Sequence, residues 1–143
     1  MKKIFKSTLA ICLLLCMMFS LTACGGEDFY CLGETFVYDH AEASVAVSQG
    51  EKLEIEGLGL QYYGPTQFVF DYSGNVVWEN TETHDVTLDG YWRLEDDNKT
   101  LYMFTDPSED EEYTETFHVV GRKFYYVQQG ENYDILIYFK PAQ

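Results

Sequence analysis

The sequence predicts an all-β domain, a small antiparallel barrel or sandwich built as a meander of about eight to ten strands. Three observations lead there. From Phe36 onward apolar residues recur with a period of two, the repeat of strands with one dry face and one wet face. Turn-forming clusters separate these runs at short intervals. Beyond the apolar start of the chain, no stretch carries the apolar stripe of a helix packed on a core.

The clearest strand sets Val86, Leu88, Gly90, Trp92 and Leu94 against Thr87, Asp89, Tyr91, Arg93 and Glu95. The same alternation appears in Phe68, Phe70 and Tyr72, in Tyr113, Phe117 and Val119, and in Tyr133, Ile135, Ile137 and Phe139. Between the runs lie Ser73-Gly74-Asn75, Asp96-Asp97-Asn98, Gly121-Arg122 and Gly130-Glu131-Asn132, where positive φ or a side-chain-capped turn costs little. Strand-like runs fall near 35–38, 43–48, 52–56, 58–63, 66–72, 76–79, 85–95, 99–105, 113–120, 123–129 and 133–139, some of which merge. The acidic stretch from Asp106 to Glu112 reads as a solvated hairpin loop. With no repeat and no Pro-rich linker, residues 35–143 form one domain.

The start of the chain belongs to a different regime. Lys2, Lys3 and Lys6 precede a charge-free apolar stretch from Ser7 to Phe19, the arrangement of a secretory leader, shorter than the roughly 20 residues a membrane-spanning helix needs. Leu21-Thr22-Ala23-Cys24 follows and resembles the lipobox of bacterial lipoproteins. The resemblance implies that residues 1–23 are removed, that Cys24 receives a diacylglyceryl group, and that residues 24–34 tether the domain to the membrane. Two or three acyl chains, at about 0.8 kcal/mol per buried CH2, hold such a protein permanently. It would then sit on the extracytoplasmic face of the cell membrane in a single-membrane bacterium. In a two-membrane bacterium it would face the periplasm or the outer membrane, since Gly25 stands where an inner-membrane retention signal has Asp.

Charge narrows the partners. All 24 carboxylates but only six of the nine Lys and Arg lie after residue 23, a formal net charge of −18. Nucleic acid requires cationic patches and is excluded. Anionic headgroups would repel the domain, so it is expected to stand off the surface on Gly25-Gly26-Glu27-Asp28. With Cys12 and Cys16 in the leader and Cys24 lipidated, Cys31 has no partner for a disulfide and reads as a small buried apolar residue rather than a reactive thiol.

Two further resemblances bear on function. Gly90-Tyr91-Trp92 is similar to the Gly-x-Trp motif on the first strand of lipocalin-like barrels, which hold a small apolar ligand; here it stands mid-chain, with about fifty residues after it. Phe29-Tyr30-Cys31 followed by Phe36-Val37-Tyr38 resembles the start of the C-type lysozyme inhibitors, with Tyr72-Ser73-Gly74 echoing their inhibitory loop; that family pairs its early cysteine with a late one, absent here. An acidic surface suits a basic target such as lysozyme through electrostatic steering.

No catalytic motif stands out. There is no Gly-x-Ser-x-Gly, His-Glu-x-x-His or phosphate-cradling loop. Cys31 with a histidine, or Glu115 with Glu131, can be drawn as a catalytic pair only if the fold brings them together. The acidic turns Asp106 to Glu112 and Asp96-Asp97-Asn98 lack the alternating ligand pattern of an EF-hand, and His40, His84 and His118 lack paired zinc-ligand spacing. The expectation is therefore a non-catalytic binding or scaffolding domain without a cofactor or metal, whose partner is a small apolar ligand or a basic envelope protein. Tyrosine is abundant, and Tyr62, Tyr63 and Tyr91 are the candidate binding surface, because exposed tyrosine joins an apolar body to a polar tip.

Overall fold

In the computed structural model, residues 29–105 and 114–143 are described. Eight antiparallel strands, β1 (Thr35–Ala43), β2 (Thr66–Phe70), β3 (Asn75–Asn80), β4 (Val86–Glu95), β5 (Thr100–Phe104), β6 (Thr114–Val120), β7 (Lys123–Gln128) and β8 (Ile135–Pro141), pair in chain order. The barrel closes where β8 pairs with β1. One helix, α1 (Gln49–Tyr63), lies between β1 and β2. The all-β antiparallel meander expected from the alternation is therefore present, as a barrel and not a sandwich, with the tight-turn positions as read. Cys24 and the Asp106–Glu112 stretch fall outside the described residues.

On β4 four of the five residues expected to point inward do so, while Val86 at the start of the strand is exposed. Leu88 and Gly90 are buried and Trp92 and Leu94 half-buried, while their neighbours face solvent. The centre of the barrel is filled with phenylalanine. Phe68 touches the rings of Trp78, Phe117, Phe124 and Phe139 at centroid distances of 5.1, 5.6, 5.1 and 4.8 Å. Most of these contacts are edge-to-face, the geometry that aligns a ring's positive edge with a neighbour's negative face. Phe36, Phe70, Leu101, Met103 and Ile137 complete this fully buried core.

The two barrel ends differ. At one end are the short β2–β3, β4–β5 and β6–β7 turns. Asp71 organises the first, accepting hydrogen bonds from the Ser73 and Asn75 amides and the Ser73 hydroxyl, each at 2.9 Å. The second holds Asp96, Asp97 and Asn98 all at positive φ. The chain approaching β1 seals this end by placing Phe29 against Phe36 and Phe124 and burying Cys31. Burial pushes the Cys31 thiol up to about 12.

The opposite end carries α1, which corrects the sequence expectation of strands at 52–56 and 58–63; the strand expected at 43–48 is instead the end of β1 and the connection from it to the helix. Leu53 and Ile55, then Leu58, Leu60 and Tyr62, alternate by two and mimic strands. In the helix only Ile55 and Gly59, one turn apart, are buried, and the other apolar residues are spread around the cylinder. A stripe made of one isoleucine and one glycine leaves no apolar period to detect. Ser48-Gln49-Gly50-Glu51 did carry a start signal: Ser48 caps the helix, its hydroxyl accepting from the Glu51 amide at 3.2 Å. Pro65, just beyond Gly64, prevents the helix from continuing.

Candidate functional site

Strand pairing explains why α1 has room at the barrel end. β1 pairs with β2 at Thr35, Phe36 and Val37 alone, while its ladder with β8 continues to Ala43. Past Val37 one edge of β1 faces α1 instead of a strand. Gly59 makes the close contact there, beneath the Tyr38 hydroxyl and the Ala41 methyl. The helix therefore crosses the mouth of the barrel with its C-terminal turn over β8, where the Tyr63 ring meets Phe139 edge-on at 6.4 Å.

Two hollows flank the helix. The larger, about 370 Å³, lies between α1 and the free edge of β1; Ala41, Ala43, Val47 and Ile55 form apolar wall, and His40, Glu42, Lys52 and Glu56 add charge. The smaller, about 90 Å³, is bounded by Ile55, Leu58, Gly59, Tyr62 and Tyr63 on the helix and by Gln128, Ile135 and Ile137 on β7 and β8. Around them α1 leaves Leu53, Leu58, Leu60 and Tyr62 exposed, and Val45 beside its start is exposed as well.

The barrel mouth is electrostatically distinct. Burial raises the Tyr63 hydroxyl above its ordinary value, and the nearby Tyr126 and Glu115 raise it further. Tyr126 is shifted the same way by burial and by Glu115. A carboxylate and two phenols thus share the rim under the helix, and both phenols stay protonated donors well above neutral pH.

The structure places Tyr62 and Tyr63 together at the smaller hollow, but Tyr91 elsewhere. Tyr91 lies on the outer wall of β4, its ring 5.8 Å from Phe104, beside the Arg93 guanidinium that covers Tyr102 and Phe104. A second outer row crosses four strands: His40 stacks on Tyr138 at 4.5 Å, Tyr138 meets Tyr125 at 5.0 Å, and Tyr125 meets His118 at 5.1 Å. A bulge between Tyr38 and His40 turns Asp39 toward this row. There its carboxylate accepts from Lys123 Nζ at 2.7 Å and lies 2.9 Å from His40 Nδ1. Burial alone would raise the Asp39 carboxyl, but these two partners hold it below the usual range.

Sequence reasoning missed Ile55, Leu58 and Lys52 as site residues because it placed them on strands. The Ser48–Glu51 capping pattern was the signal that would have gathered them on one helix. Of the drawn catalytic pairs, Cys31 is sealed in the end opposite α1, and Glu115 stands at the mouth. Among the described residues, no three His, Cys, Asp or Glu side chains are placed to hold a metal ion, and no helix is long and apolar enough to cross a membrane. Trp92 of the Gly-x-Trp sequence sits on the fourth strand, its ring edge-on to Phe70 at 5.9 Å and its indole N–H buried without a protein partner.

Fold and site together define an eight-stranded antiparallel barrel, sealed at one end by its own N-terminal segment and crossed at the other by one helix flanked by two hollows. Compared with known proteins, the chain matches no family model, no curated protein and no solved structure.

Proposed function

We propose that this protein is a lipoprotein anchored through Cys24 on the extracytoplasmic face of the membrane, and that its barrel is a non-catalytic binding or scaffolding module that recognises its partner with α1. One observation carries the choice of surface: the barrel centre is packed ring against ring, while Leu53, Leu58, Leu60 and Tyr62 are left uncovered on a single helix. Of these, Leu58 and Tyr62 border the smaller hollow, and apolar side chains beside a hollow mark recognition surfaces more often than isolated exposed ones do. Glu51, Glu54 and Glu56 interleave with them on α1 against the lone Lys52. With the net charge of −18 over residues 24–143, that face favours a basic protein of the envelope, steered by charge and held by apolar contact.

A second reading, a lipocalin-like binder of a small apolar ligand, is favoured by the smaller hollow, whose walls are Ile55, Leu58, Tyr62, Tyr63, Ile135 and Ile137. Native mass spectrometry of the mature protein, purified from its own host's envelope, separates the two. Protein recognition predicts a domain free of small molecules and a salt-sensitive complex with a basic protein, lost in a Leu58→Ser/Tyr62→Ser variant. A small molecule retained at one per chain overturns it in favour of the lipocalin-like reading.

A further inference from the structure

We infer that the barrel end opposite α1 docks onto the bilayer interface through Tyr30, Leu32 and Tyr72, so that α1 points away from the membrane; this inference rests on the reading of Cys24 as the lipidated residue. The segment entering β1 alternates: Phe29 and Cys31 point into the barrel, whereas Tyr30 and Leu32 are about half exposed, at 49% and 50%. Tyr72 in the β2–β3 turn is exposed at 83%, yet its ring lies over Gly33, at a φ of +71° and so close that a Cβ there would overlap it. The Arg122 guanidinium covers the Tyr30 ring at 3.6 Å. Two tyrosines, a leucine and an arginine thus gather on the sealed end around the segment entering β1. Amphipathic rings with apolar bodies and polar tips are the residues favoured at the level of lipid headgroups, and an arginine beside them can meet phosphate.

The length of chain ahead of the patch supplies the occupant. Only residues 25–28 separate Cys24 from buried Phe29, and five fully extended steps span at most about 18 Å. An acyl-bearing Cys24 therefore holds the Tyr30 end next to the bilayer. A seven-residue strand such as β8 is itself about 20 Å long, which sets α1 on the far side. The charge-based expectation that the whole domain stands off is revised for this end, because a covalent anchor supplies the proximity and Tyr30, Leu32 and Tyr72 supply the contact, against the carboxylates of Asp71, Asp96 and Asp97 in the turns of the same end. Repulsion from the acidic remainder is screened over about a Debye length, roughly 8 Å at physiological salt.

The test uses the full-length protein processed in a bacterium, reconstituted in phosphatidylcholine vesicles containing nitroxide-labelled lipid. Mass analysis first establishes diacylglyceryl on Cys24; its absence overturns the anchoring reading and the docking with it. A fluorophore is then placed at Gln143→Cys, beside the start of β1, or at Glu54→Cys on α1. Docking predicts several-fold stronger quenching at position 143 than at 54, and a several-fold drop in the quenching at 143 in lipidated Tyr30→Ser/Leu32→Ser/Tyr72→Ser, where the tether alone remains and whose circular dichroism and Tm report that it remains folded. Lipid on Cys24 with equal quenching at both positions, or with quenching at 143 undiminished by the triple substitution, overturns docking and leaves anchoring intact.

Discussion

Gly59 of α1 and Ala41 of β1 meet so closely that a methyl group on Gly59 would stand 2.7 Å from the Ala41 methyl and 2.5 Å from the Tyr38 hydroxyl. Tyr38 can swing aside, but Ala41 is fixed to a strand held by β8. The position of the helix over the barrel mouth is set at this contact.

Gly59→Ala should therefore destabilise the protein by about 1–3 kcal/mol, as overpacking does, even though alanine is the better helix former. Gly57, two residues away, has nothing within 4 Å of where its Cβ would be. Gly57→Ala should stabilise by about 0.5–1 kcal/mol from helix propensity alone. Urea denaturation of both variants measures this opposition of sign; a stabilised Gly59→Ala would mean that α1 is not seated on Ala41.

Stability should fall at both pH extremes, for opposite reasons. Burial, then the hydrogen bond and charge of Glu42, then Tyr125, push the Tyr138 hydroxyl up to about 12, with Tyr38, Tyr63 and Tyr126 shifted in the same direction. A proton held more tightly when folded contributes stability that is complete below the ordinary tyrosine value of about 10 and is lost as pH rises through the folded value. Asp39 is lowered, so its contribution is present above the ordinary aspartate value of about 4 and is lost as pH falls below it. Tm measured against pH should show a plateau with two falling limbs. Tyr138→Phe should flatten the alkaline limb, and an unchanged limb would remove Tyr138 as its source.

Cys31 should be chemically silent in the folded protein, because its thiol is buried and raised to about 12. Thiolate, the reactive form, is then scarce at pH 8 as well as enclosed. An aromatic disulfide reagent should fail to label Cys31 in the native protein and should titrate it once the chain is unfolded in denaturant. Rapid labelling of Cys31 in the native protein would show that the segment ahead of β1 does not seal its end of the barrel.

Much of the barrel was legible because a strand with one buried face writes its orientation into the chain. On β4, Leu88, Gly90 and Trp92 point inward as the alternation required, and the turns at Ser73-Gly74-Asn75 and Gly121-Arg122 fall where their residues favour them. Barrel rather than sandwich was not legible, because closure depends on the pairing of β1 with β8, whose partners such as Val37 and Lys140 lie about a hundred residues apart. The helix was hidden by its own composition, with a buried face of Ile55 and Gly59. For the candidate site, residue type could single out Tyr62 and Tyr63, yet the Glu115 and Tyr126 that shift Tyr63 come from β6 and β7, which no local pattern links to it. Tyr91 was grouped with them by residue type alone and belongs to a different wall.

Replacing Tyr62 or Tyr91 with a photoreactive phenylalanine analogue and illuminating the lipidated protein in its own envelope tests most directly whether α1 is the recognition surface. Recognition by α1 predicts a covalent adduct with a basic protein from position 62 and none from position 91. An adduct from position 91 alone, or none from either, would contradict it.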